Sequence, residues 1–93
     1  MTYNIIVEDE AKYDLINIYN YITQNDSSAK AKKFILELKK SILSLETMPY
    51  RCRDSHYVED KNSKDLIYKK YTIVFKIIDK NIHILTIFRQ KKF

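Results

Sequence analysis

The sequence predicts an α+β fold in the order β-α-α-β-β-β, a two-helix antiparallel hairpin packed on a small, mainly antiparallel sheet. Three observations carry that reading. Two amphipathic stretches follow each other across a short polar break, two β-branched runs joined by a polar turn lie toward the C-terminus, and a third such run opens the chain. Its 93 residues provide material for one core, so residues 1–93 are expected to fold as a single domain.

Thr2 to Val7 reads as the first strand and stops at the acidic triplet Glu8-Asp9-Glu10. Carboxylates suit a helix N-terminus, where Asp9 can cap free N–H groups and the positive end of the dipole favours negative charge. Ala11, Leu15, Ile18, Tyr19 and Ile22 then recur at helical spacing, so a first helix runs to about Gln24. Asn25-Asp26-Ser27-Ser28 breaks it, and Asp26 or Ser27 caps a second helix. That helix carries the stripe Ala31, Phe34, Ile35, Leu38, Ile42 and Leu45, with Lys30, Lys33, Glu37 and Lys40 elsewhere around it. It ends at Met48-Pro49, since the residue before proline avoids helical angles.

Arg51 to Asn62 keeps no period and reads as a loop with room for a short strand. Leu66-Ile67-Tyr68 supplies a strand ahead of Lys69-Lys70. Tyr71 to Ile78 and Asn81 to Phe88 then form an antiparallel hairpin turning at Asp79-Lys80. Strict alternation puts His83 on the face of Leu85 and Ile87, and Tyr71 and Phe75 together on the other, as core.

Composition excludes several classes of function. Hydrophobic residues make up 45% of the chain, and 8 Tyr with 4 Phe give it ample material for a core, so it is not a disordered segment. No apolar run is long enough to span a membrane, and the start lacks a signal-peptide profile, so a cytoplasmic protein without membrane association is expected. Cys52 is the lone cysteine and there are only two histidines, so neither an intrachain disulfide nor a structural metal is expected. The chain has no glycine, which excludes phosphate-binding loops and dinucleotide fingerprints, and no cofactor is expected. It also lacks the motifs of metalloproteases, serine hydrolases and zinc deaminases.

Charge is distributed unevenly. Residues 1–26 set Lys12 against five acids, whereas residues 49–93 set eleven Lys or Arg against five acids, within an overall charge of +5. A basic C-terminal half fits a polyanionic target or an acidic protein partner, and its plain alternative is a solvated lysine-rich surface.

Tyr3-x-Ile5, Ala11-x-x-Asp14-Leu15-x-x-Ile18-x-x-Tyr21-Ile22, Ala31-x-x-Phe34, Leu38, Ile42, Leu45, Pro49, Tyr71-x-Ile73-Val74-Phe75-Lys76-Ile77 and Ile82-x-Ile84-Leu85-x-Ile87 agree in order and spacing with one family. Across nearly its whole length the chain resembles the RelE/ParE superfamily of type II toxin–antitoxin toxins, the kind that includes plasmid-stabilisation modules. The resemblance implies a RelE/ParE toxin-like fold and a growth inhibitor neutralised by a cognate antitoxin protein in a toxin–antitoxin hetero-oligomer. One branch of the superfamily cleaves messenger RNA in the ribosome and the other poisons DNA gyrase.

RNA cleavage needs cationic clamps on the phosphate and an acid/base pair. Aligned on Tyr71, the third-strand arginine of the ribonuclease branch falls at Thr72, its second arginine falls near Lys92 beside Arg89, and its C-terminal tyrosine has no counterpart because the chain stops at Phe93. The resemblance therefore leans to gyrase inhibition, with ribosome-dependent mRNA interferase activity as the alternative. A degenerate module that binds antitoxin or nucleic acid without toxicity is the third reading. If the chain is an enzyme, His56, Tyr68 and His83 are its proton-transfer candidates. Arg51, Arg53, Lys64, Lys69, Lys70, Arg89, Lys91 and Lys92 are the candidates for phosphate or partner binding. Each has a structural alternative: His83 as a core or edge histidine, Lys64 as a solvent-exposed cation, and Arg51 and Arg53 as loop anchors.

Overall fold

The computed structural model describes residues 2–89, in the order β1 (Asn4–Val7), α1 (Asp9–Asn25), α2 (Ser28–Leu43), β2 (Arg53–Asp54), β3 (Ser63–Tyr68), β4 (Tyr71–Ile78) and β5 (Asn81–Arg89). The strands form one sheet in the order β1-β5-β4-β3-β2. β1 runs parallel to β5 and the other neighbours are antiparallel, so the sheet is mixed. The fold is α+β, two helices on one face of a five-stranded sheet, as the sequence predicts.

Both helical stripes are used as their spacing requires. Ala11 and Ile18 of α1 and Leu38 and Ile42 of α2 join Leu66, Tyr71, Ile73, Phe75, Ile77, Ile82, Ile84 and Ile87 in one buried cluster. Ser27 caps α2, its hydroxyl accepting the N–H of Lys30 at 3.2 Å. The start of α1 differs from expectation. Glu8 is the cap residue, Asp9 already lies inside the helix, and the Glu8 carboxylate reaches His83 rather than a backbone N–H. Asp9 and Glu10 still sit in the first turn, where the helix dipole favours them.

α2 stops at Leu43, earlier than the proline predicts, and tightens into a 3₁₀ turn over Ser44–Glu46. The Ser44 hydroxyl donates to the Ser41 carbonyl at 2.6 Å, a local bond that competes with helix continuation. Pro49 opens a second 3₁₀ turn, Pro49–Arg51. Both β-hairpins turn without glycine by placing Lys69 (φ 53°) and Asp79 (φ 54°) in the left-handed region.

β5 departs from strict alternation. Val74 pairs with Thr86 and Phe75 with Ile84, so Leu85 is left over as a bulge. Ile82, Ile84 and Ile87 consequently all reach the core, although 84 and 87 have opposite parity. The expected grouping of His83 with Leu85 and Ile87 is thereby corrected: the extra residue switches the phase, and His83 points to the rear face, away from the helices, beside its cross-strand neighbour Lys76.

Ser63, Asp65, Thr72 and Val74 alternate with the core residues and so face the rear, yet all four are buried. Ser55–Asn62 covers them, crossing from the β2–β3 edge until the Tyr57 ring meets Phe88 on β5 edge-on, with centroids 4.8 Å apart. Asp60 Oδ2 sits 2.7 Å from Lys76 Nζ, and the His56 N–H donates to Asp65 Oδ2 at 3.0 Å.

Candidate functional site

A groove of about 500 Å³ opens between the second half of α1 and the ends of β4 and β5. Ile18, Tyr71 and Ile87 give it an apolar bed, and Asn17, Tyr21 and Arg89 are at its margin with Asp14. The walls are held together chemically. Asp14 Oδ2 accepts the Thr86 hydroxyl and the Ile87 N–H, each at 2.9 Å, which fastens α1 to the strand just past the bulge. The guanidinium of Arg89 donates to the Tyr21 hydroxyl at 3.3 Å. Burial raises the Tyr71 phenol above its ordinary value, opposed by the nearby Arg89 charge and aided by Tyr21. The phenol stays protonated at neutral pH, so the charged groups of the groove are the Arg89 guanidinium and the Asp14 carboxylate, the latter engaged by Thr86 and Ile87.

A second, smaller groove of about 350 Å³ lies on the helical hairpin, lined by Leu15, Ile16, Tyr19 and Ile35 with Lys12 and Lys39. Tyr13, Ile16 and Leu36 on these helices are 69%, 56% and 63% exposed, an apolar presence larger than the isolated surface leucine of an ordinary monomer.

The residues singled out from the sequence are dispersed, and most are engaged with their own chain. Arg51 donates to Ser44 Oγ at 2.6 Å, and Arg53 lies 3.3 Å from Asp65 Oδ2, so both anchor the segment after α2. Lys64 pairs with Asp54 at 3.0 Å, over the Tyr50 ring, and its side chain is only 12% exposed. The solvent-exposed alternative for Lys64 is thus corrected, since it lies on the helix-facing side of β3 between those partners. Lys69 pairs with Glu37 at 3.4 Å and covers the rings of Phe34 and Tyr68. Lys70 and Arg89 are exposed, and Lys91 and Lys92 lie outside the described residues.

The three proton-transfer candidates do not converge. The Tyr68 hydroxyl donates to Glu37 Oε2 at 2.8 Å, and that bond first, then burial, raises the phenol's pKa while the same bond lowers the carboxyl's. His56 belongs to the segment across the rear face and is exposed. His83 Nδ1 lies 2.7 Å from Glu8 Oε1 at the opposite end of β5 from Arg89, on the order of 20 Å away by strand rise. Thr72 is completely buried, with its hydroxyl unpartnered. Burial also pushes the Cys52 thiol up, against the weaker pull of Arg51 and Lys64, so it is not a thiolate at neutral pH.

Sequence reasoning missed the grooves as sites. Asp14 and Tyr21 entered only as positions of the family pattern with no site role, and Tyr71 only as core and as the point of alignment. Among the described residues no three His, Cys, Asp or Glu side chains gather as metal ligands, and no helix is long and apolar enough to cross a membrane.

The comparisons with known proteins agree with the fold. A chain of the chromosomal ParDE toxin–antitoxin system from P. aeruginosa superposes with a TM-score of 0.83 at 20% identity, covering 97% of this chain and 98% of that one. A chain of the RelBE2 toxin–antitoxin complex from Mycobacterium tuberculosis superposes with a TM-score of 0.72 at 14% identity, covering 97% of this chain and 100% of that one. No protein of curated function matches the sequence. The model of the ParE toxin of the type II toxin–antitoxin system parDE matches residues 5–92, nearly the whole length, and the chain belongs to that family.

Proposed function

We propose that this ParE-family toxin acts in the cytoplasm on DNA gyrase and is neutralised by an acidic antitoxin protein. The observation that carries the choice of target is the rear face of the sheet. At the position matching the third-strand arginine of the ribonuclease branch stands Thr72, a hydroxyl that cannot neutralise phosphate, completely buried under the chain's own Ser55–Asn62 segment. The proton-transfer candidates are separate, two of them held by carboxylates, so among the described residues no clamp and acid/base pair surround a single point.

The antitoxin reading is supported by the two grooves. Apolar walls with Arg89 at one groove, and with Lys12 and Lys39 at the other, favour an amphipathic segment that buries apolar side chains and pairs its carboxylates with these cations. The family match and the two toxin–antitoxin neighbours point the same way.

One observation favours messenger-RNA cleavage as a second reading. The Glu8 carboxylate on His83 Nδ1 can hold the ring in the tautomer whose Nε2 accepts a proton. The two are separated by inducing the protein without antitoxin and following labelled thymidine and amino-acid incorporation over the first minutes. Early loss of thymidine incorporation is expected. Early loss of amino-acid incorporation alone refutes the gyrase target, and undisturbed growth with folded protein refutes toxicity and leaves a non-toxic binding module.

A further inference from the structure

We propose that Ser55–Asn62 is a strap that opens over the rear face of the sheet, latched by Asp60 on Lys76 and by Tyr57 on Phe88. Its two ends are fixed in the sheet. The Ser55 N–H donates to the Ser63 carbonyl, and the Ile77 N–H donates to the Asn62 carbonyl, each at 2.9 Å. Between those ends the strap is held by the Asp60–Lys76 ion pair at 2.7 Å, the edge-on Tyr57–Phe88 contact and the His56 N–H on Asp65, with a local turn at its second end in which the Ser63 N–H donates to the Asp60 carbonyl at 3.0 Å.

The strap is also internally organised. Ser55 Oγ accepts the N–H groups of Tyr57 and Val58, and Asp60 Oδ1 accepts that of Asn62. These local turns do not depend on the sheet, so the segment can lift as a unit without losing them.

The polar atoms beneath give the closed state its cost. Ser63 Oγ, Asp65 Oδ1 and Thr72 Oγ1 are buried on this face without a hydrogen-bond partner. The Ser63 and Thr72 hydroxyls, left unpaired, carry the full desolvation penalty of their groups, and Asp65, paired with Arg53 and His56 through Oδ2 alone, carries part of it. Opening hydrates all three and so offsets the loss of an ion pair about one-third exposed, one aromatic contact and the His56 N–H bond to Asp65. Opening also changes the character of the face. Lys76 leaves Asp60 and stands beside its cross-strand neighbour His83, so the face gains a lysine without its strap partner while Glu8 stays on His83 and Asp65 on Arg53.

The test is hydrogen–deuterium exchange on the full chain, comparing the wild type with Asp60→Asn, Lys76→Gln and the double variant. The His56 amide is expected to exchange at least about tenfold faster than those of Val74 and Phe75, because its bond to Asp65 breaks when the strap lifts. Asp60→Asn and Lys76→Gln should each speed it about threefold further while leaving the β4 amides unchanged, and the double variant should be no faster than either single one. Exchange of His56 at the β4 rate overturns the proposal. So does either substitution leaving it unmoved, or accelerating the His56 and β4 amides alike. These readouts do not depend on which cellular target the toxin has.

Discussion

Asp14 and Ile87 meet where α1 crosses the bulged strand: a single carboxylate oxygen, Asp14 Oδ2, accepts the Ile87 N–H at 2.9 Å and the Thr86 hydroxyl at the same distance. The bulge at Leu85 interrupts the ladder with β4, and the helix supplies the acceptor for the strand just beyond it. This contact sets one wall of the Arg89 groove against the other. Asp14→Ala should therefore destabilise the fold by about 1.5–3 kcal/mol, the usual worth of hydrogen bonds to a charged group. Urea unfolding measures it, and Asp14→Asn, which keeps an acceptor oxygen, should recover part of the loss.

Arg89 is exposed and among the described residues makes one side-chain hydrogen bond, to Tyr21, so removing its charge should leave the fold intact, within about 0.5 kcal/mol. Arg89→Glu should nevertheless weaken antitoxin binding by about tenfold or more, read by calorimetric titration, because it sets like charges against each other at the groove. Unchanged affinity would remove this groove from the antitoxin interface.

Asp79 turns the β4–β5 hairpin at φ 54°, a conformation that carries a steric cost for any residue with a Cβ. Asp79→Gly should raise stability by up to about 1 kcal/mol, the relief of that cost less the added flexibility of the unfolded chain. A lower melting temperature would show that the Asp79 side chain itself stabilises the turn.

Two carboxyls are held below their ordinary values. Glu37, ordinarily near 4.5, is lowered by the Tyr68 hydroxyl and then by Lys69. Asp60, ordinarily near 3.8, is lowered by Lys76 and then by the Asn62 N–H. A carboxyl with a depressed folded pKa stabilises the fold fully above its unfolded pKa, and that contribution disappears as pH falls through the folded value. Acid unfolding should accordingly set in below about pH 4.5, with Tyr68→Phe and Lys76→Gln each flattening the slope there in pH-dependent urea titrations. Tyr68→Phe should also leave growth inhibition intact, since the hydroxyl serves Glu37.

The boundaries show which physics the sequence exposes. The start of β4, the Ser27 cap and the two helical stripes were legible because each is set by neighbours within one or two turns or one strand. β3 begins at Ser63, three residues before its apolar run, because Ser63, Lys64 and Asp65 pair with Lys76, Phe75 and Val74, partners that no local pattern announces. The two helices end or begin differently from expectation where a side chain was recruited elsewhere, Glu8 by His83 and Ser44 by the Ser41 carbonyl.

The candidate site was legible in kind and not in place. The basic C-terminal half marked Arg89, which lines a groove, and equally Arg51, Arg53, Lys64 and Lys69, which the fold engages with Ser44, Asp65, Asp54 and Glu37. Whether a cation meets a ligand or its own chain depends on acids up to 32 positions away, and sequence distance carries no record of that.

By itself, then, the amino-acid order determined the succession of strands and helices, their apolar faces and the family likeness, because periodicity records which side of each element avoids water. Tertiary structure alone decided the parallel pairing of β1 with β5, the bulge that sends His83 to the rear, the strap across that face and the assembly of the Arg89 groove. Each of these is a contact between segments remote in the chain. Burial of a face states only that it must be covered, and the geometry of the packed molecule chooses what covers it.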